Sequence, residues 1–305
     1  MTAGTIILDF GDFMSLNEIL LIIAALLPAI VLLLYVYSKD RAEKEPLPLL
    51  LLLLAAGAII IIPSIIFELL LGSVIDFTFG VTEESLSSLS SDPVLFRIYS
   101  GISMLLGVAL VEEFFKWISM LIITRRSKHF NSLFDGLVYA IFVSLGFAAL
   151  ENVFYVLENG WGNALMRAVL SVPGHMFFAV TMGYFYSMWH MNDKAKSFER
   201  KFTELGVIRP SQSQFDSDIY KGLSIIVPVL IHGFYNYCCT VGSILEIVIM
   251  IALIIVLYIF CFKRIKAMSF EDTSDTVFAL RLLHKKYPEI AQWASLNPEI
   301  YNSII

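Results

Sequence analysis

Eight polar or ionisable residues interrupt stretches that are otherwise apolar: Glu112, Glu113 and Lys116, then Glu151 and Asn152, then His175, then His232 and Asn236. An ionised side chain near the centre of a bilayer costs about 2.5–3.5 kcal/mol on insertion scales, so each position calls for a reason. Glu112 and Lys116 are four residues apart and Glu113 and Lys116 three, so on a helix the lysine can pair with either. Adjacent glutamates diverge by about 100° around a helix, which lets one face a cavity while the other is held. A carboxylate with histidines in a partly wet pocket can activate water. The carboxylate is then the general base, and a histidine or amide stabilises the oxyanion. The same residue types can instead hold zinc through two histidines and a glutamate (Glu113, His175 and His232), with a fourth position left for water. Three other uses are an ion pair that fixes helix packing, a non-catalytic scaffold or sensor, and the proton relay of a transporter.

Elements that could position such groups are plain in the composition. Of 305 residues, 58% are hydrophobic and 16% charged, and the mean hydropathy is +0.77. A soluble globule, a disordered chain and a disulfide scaffold are excluded by these numbers, and the three cysteines imply no disulfide framework. A bilayer core of about 30 Å needs about 20 apolar residues per helix. Seven runs qualify: 19–37, 47–67, 98–124, 133–157, 164–190, 221–240 and 243–262. At about 1.5 Å per residue, Glu113 and His232 lie about 16 Å from the inner helix ends, His175 about 22 Å and Glu151 about 27 Å. Pro173 and Pro228 are expected to free backbone carbonyls beside the two histidines. Asp135 and Arg167 sit near span ends, and Glu68 and Glu246 near the outer interface, where solvated or snorkelling positions are expected.

Eighteen of the 21 basic residues fall in the loops after spans 1, 3 and 5 and in the C-terminal tail. The positive-inside rule then places the N-terminus outside and the tail in the cytoplasm. The expected protein is all-α and polytopic, with seven transmembrane helices over residues 1–267 and a cytoplasmic tail over 268–305. No cleavable signal peptide is expected, since residues 1–13 carry no basic residue. The loop from Gly72 to Phe96, with its serine-rich stretch Ser85–Ser91, is expected to be mobile.

Glu112-Glu113-Phe-Phe-Lys116, Phe147-Ala-Ala-Leu-Glu151-Asn152, Gly174-His175 and His232-Gly-Phe-Tyr-Asn236 together resemble the PrsW family of intramembrane proteases, part of the group that includes the CAAX prenyl endopeptidases. Residues 35–48, with Asp40-Arg41 and Glu45-Pro46, are similar to the family's segment after its first span. The likeness runs from about residue 19 to 262, and Glu151, where the CAAX branch has histidine, favours the PrsW branch. The resemblance implies cleavage of a membrane-spanning anti-sigma factor near its extracytoplasmic side. By carry-over Glu113 or Glu112 activates water, His175 and His232 complete the site, and Glu151 and Asn236 orient the water or stabilise the oxyanion. Lys116 neutralises the spare glutamate. The expected partners are the bilayer and a single-pass substrate protein, with no nucleic acid. The expected setting is a bacterial plasma membrane, and zinc is the candidate cofactor beside a metal-free glutamate mechanism.

Overall fold

A computed structural model describes residues 14–41, 43–82, 89, 91–209 and 217–305. The expected mobile serine-rich stretch lies outside them apart from Leu89 and Ser91. Among the described residues the chain is helical, with one isolated bridge between Ser132 and Ser274 and no strand.

Helix α1 (Leu16–Lys39) starts at a Ser15–Glu18 capping box, in which each side chain bonds the other residue's backbone N–H. Helix α2 (Leu47–Ile59) follows Pro46 and bends at Ile60 into α3 (Ile61–Phe79), which ends on Gly80. Helix α4 (Pro93–Ile102) is capped by the Asp92 carboxylate, passes into a π-helix over Ser103–Ala109 and continues as α5 (Leu110–Thr124). Helix α6 (Asp135–Val169) reverses at Gly160 to form a hairpin, and its second arm continues past Leu170 into α7 (Ser171–Glu204). Then come α8 (Ser217–Val241) and α9 (Ile244–Phe270), and a C-terminal group of α10 (Asp275–Lys286), α11 (Glu289–Leu296) and α12 (Pro298–Ile304).

Among the described residues six helical runs are long and apolar enough to cross a membrane, where the sequence suggested seven spans. The longest run, Asp135–Glu204, doubles back on itself, so the chain traverses the bundle seven times. This is a multi-pass membrane protein. The hairpin is its centre: α6 is buried without a break from Asp135 to Ala148, and α7 from Val172 to Gly183. The surrounding helices bury one stripe each and expose residues such as Leu34, Ile59 and Ile244, which the lipid covers.

Helices α2 and α6 touch backbone to backbone. A Cβ on Gly57 would lie 2.0 Å from the Val143 carbonyl oxygen, and one on Gly146 would lie 2.1 Å from that of Leu54. Such small-residue contacts let membrane helices approach closely. Gly146→Val should therefore lower stability by about 3 kcal/mol or block folding. Gly162→Ala, with nothing within 4 Å of its Cβ, serves as the neutral control. Thermal unfolding in micelles decides, and a Gly146→Val protein as stable as wild type would refute the contact.

Several polar groups depart from their expected surface positions. Asp135 is buried, because its carboxylate accepts from the Asn131 and Ser132 backbone N–H groups and the Ser132 hydroxyl. Glu246 is also buried, paired with Arg97 and Ser243. Pro173 has no N–H for the Val169 carbonyl four residues earlier, and that carbonyl accepts from the Tyr258 hydroxyl at 2.8 Å. In the α1–α2 loop, Asp40 Oδ2 accepts from the Glu45 backbone N–H at 2.9 Å, and both side chains are buried.

Burial and the adjacent Asp135 charge push the Glu45 carboxyl well above the usual carboxylate range. A proton retained by the fold stabilises it below the unfolded carboxyl's pKa, and that contribution is lost as pH rises through the folded value. Glu45→Gln should thus leave stability almost unchanged at pH 5 and raise the unfolding temperature by a few degrees at pH 8. Equal effects at the two pH values would refute this.

The tail is docked. Thr273 O accepts from Leu133 N–H, and Asn131 O accepts from Asp275 N–H. Ala279, Leu283, Tyr287 and Ile290 pack on Ala195, Phe198 and Phe202 at the far end of α7.

Candidate active site

The π-helix delivers Glu112 and Glu113 in the first turn of α5. π-helical turns are rare and concentrate at functional positions, since the extra residue per turn re-aims the side chains of the next turn. Opposite it, Gly233 of α8 admits the close approach of Leu105, whose Cα would stand 3.0 Å from an added Cβ. This contact brings His232 to the glutamates.

The two glutamates share Lys116. Its Nζ lies 2.9 Å from Glu112 Oε2, 2.8 Å from Glu113 Oε1 and 3.2 Å from His175 Nδ1. The ammonium also rests on the Phe147 ring at 4.2 Å. The lysine, expected to choose one glutamate, holds both. Because it can only donate, Nδ1 of His175 accepts, and the His175 proton is assigned to Nε2. That Nε2–H donates to Glu151 Oε2 at 3.0 Å. His232 Nδ1 lies 3.0 Å from Glu113 Oε1, and its Nε2 accepts from the Asn236 amide at 3.1 Å. Phe178 stacks on His232 with ring centroids 4.6 Å apart.

Glu151 does not stand alone. Arg167 Nη2 donates to its Oε2 at 2.8 Å, Arg167 Nε donates to Asn152 Oδ1 at 2.8 Å, and the guanidinium lies over Tyr155. Arg167 was expected at a span end. A break in α6 at Gly160, whose φ of 73° suits glycine, lets the chain fold over so that Arg167 reaches back about four turns. Glu68 is also drawn inward. It is half-buried on the stripe of α3 that carries buried Ile61, Ser64 and Ile75.

All six expected catalytic residues, Glu112, Glu113, Glu151, His175, His232 and Asn236, thus meet in one hydrogen-bonded cluster linked by Lys116. Sequence reasoning missed Arg167 and Phe178 as parts of it and named Phe147 only within the motif that ends on Glu151. The phenylalanines carried a signal in their place one helical turn from Glu151 and His175, whereas Arg167 carried none.

The two glutamates differ in access. The Glu113 side chain is 0% exposed, with Oε2 buried and unpartnered, while Glu112 keeps 6% exposure. Ligand atoms of Glu112, Glu113 and His175 lie within 4.8 Å of one another, the one such group of metal-binding type among the described residues. His232, expected in the metal set with Glu113 and His175, instead bonds Glu113 from the other side and has both ring nitrogens engaged.

The profile of the PrsW family intramembrane metalloproteases matches residues 45–262, spanning every helix that contributes to this cluster. The chain belongs to the PrsW family. It is similar to Protease PrsW of Clostridioides difficile, 27% identical over 275 residues covering 87% of this chain and 98% of that one. It is also similar to Protease PrsW of Geobacillus kaustophilus, 30% identical over 71% of this chain and 78% of that one. A third PrsW protease, from Oceanobacillus iheyensis, is 29% identical over 70% of this chain and 80% of its own. No solved structure matches. PrsW family membership makes the protein a protease of the cell membrane.

Proposed function

We propose that the protein hydrolyses a peptide bond of a single-span, anti-sigma-factor-like regulator on the extracytoplasmic side of the membrane. In this reading Glu112 is the base. Its carboxylate takes a proton from water as the oxygen attacks the scissile carbonyl carbon, and the same proton passes to the leaving nitrogen as the C–N bond breaks. Lys116 holds Glu112 in place. Asn236, with one amide N–H on His232 and a second to offer, stabilises the tetrahedral oxyanion. Glu151, fixed by Arg167, orients His175. Glu113 anchors Lys116 and His232 from the sealed side.

The donor set also suits a metal, since two carboxylates and an imidazole with an open position are ordinary ligands for zinc. Glu112, Glu113 and His175 would hold it, and the bound ion would polarise the carbonyl and lower the pKa of its water. The observation that carries the protease reading is the convergence of Glu112, Glu113, His175 and His232 from three helix runs in a PrsW family chain. The test is co-reconstitution with single-span regulators in vesicles and mass mapping of the new termini. A cut in the outer half of the substrate span or just beyond it is expected. A cut confined to the cytoplasmic half would overturn the assignment of side.

A further inference from the structure

Lys116 stands where three ligands converge. Its Nζ is 2.8–3.2 Å from Glu112 Oε2, Glu113 Oε1 and His175 Nδ1. An ammonium has three N–H donors, and these contacts use all of them. Phe147 covers a further side at 4.2 Å, so the cation is fully enclosed. The same three residues are the described group whose ligand atoms are close enough to bind one ion. A divalent metal bound there would sit about 2.0–2.2 Å from each donor. Its centre would fall within the volume that Nζ fills, and it would repel the ammonium besides.

We infer that Lys116 is a built-in competitor for the metal position, so that this site takes up a divalent ion only when the ammonium has swung out of it. The inference rests on the cluster being the catalytic centre. A displaced ammonium has a further carboxylate close by, because Glu151 stands on the other side of the same His175 ring. Metal and lysine are then alternative cations for one set of donors. The apparent affinity for metal is the intrinsic affinity scaled by the fraction of time the position is vacant. A vacancy of roughly 1% weakens binding about 100-fold.

The test is equilibrium dialysis of the purified full-length protein in micelles against zinc and, separately, manganese, with metal measured by elemental analysis. Wild type, Lys116→Met and Lys116→Gln are compared. Both variants should hold one ion with an apparent Kd about 100-fold lower than wild type, and adding Glu112→Gln to Lys116→Met should abolish the gain. Both should also melt at higher temperature with metal present, since the ion replaces the missing charge. Equal affinity in wild type and variants would overturn the inference. So would failure of both variants to fold even with metal supplied. Binding is read without any substrate, so an inactive protein would count against the protease reading and leave this result standing.

Discussion

Glu112→Gln reduces peptide-bond cleavage by about 10²–10⁴-fold and leaves the protein folded, whereas Glu113→Gln loses both activity and stability. The distinction arises from where the two side chains lie. Glu112 shares only one oxygen with Lys116 and keeps a little exposure, as a base that meets water must. Glu113 is sealed, and its Oε1 accepts from Lys116 and His232 together. Replacing it by an amide removes the charge that the buried ammonium and the His232 ring share, at a cost of about 3 kcal/mol. Cleavage of a reconstituted single-span substrate and thermal unfolding of the same preparations read the two effects. Wild-type turnover in Glu112→Gln would end the assignment of that residue as base.

Arg167→Met lowers cleavage by about 10–100-fold, and Arg167→Lys recovers part of the loss. The guanidinium spans two acceptors, Glu151 Oε2 and Asn152 Oδ1, in a fork that no ammonium can copy. Without it Glu151 is free to move, and His175 with it. Displacement of about 1 Å at a reacting centre is enough for an effect of this size. Because the change works through positioning, it should fall on kcat more than on KM. Lysine matching methionine, with no partial rescue, would show that the fork does not matter.

Much of this site is legible in the sequence, because its parts obey local rules. Glu112, Glu113 and Lys116 occupy one helix at spacings of three and four, and His232 and Asn236 another at a spacing of four. The apolar runs also reveal the passages through the bundle. The parts that resist reading depend on long-range backbone events. Arg167 reaches Glu151 only because α6 breaks at Gly160, and a glycine looks the same in sequence whether or not it takes a positive φ. The π-helix ahead of Glu112 has no compositional mark. The docked tail depends on backbone partners far along the chain, such as Leu133 with Thr273.

The α2–α6 contact also decides how a second helix could reach the cluster. Where Gly57 and Gly146 press against carbonyl oxygens, the wall has no gap into which a lipid tail, still less a polypeptide, could slide. That flank is shut for as long as the protein is folded. A doorway for an incoming transmembrane segment must open between other walls. Cross-links placed across the glycine seam should therefore leave turnover untouched, while staples across the true entrance stop it.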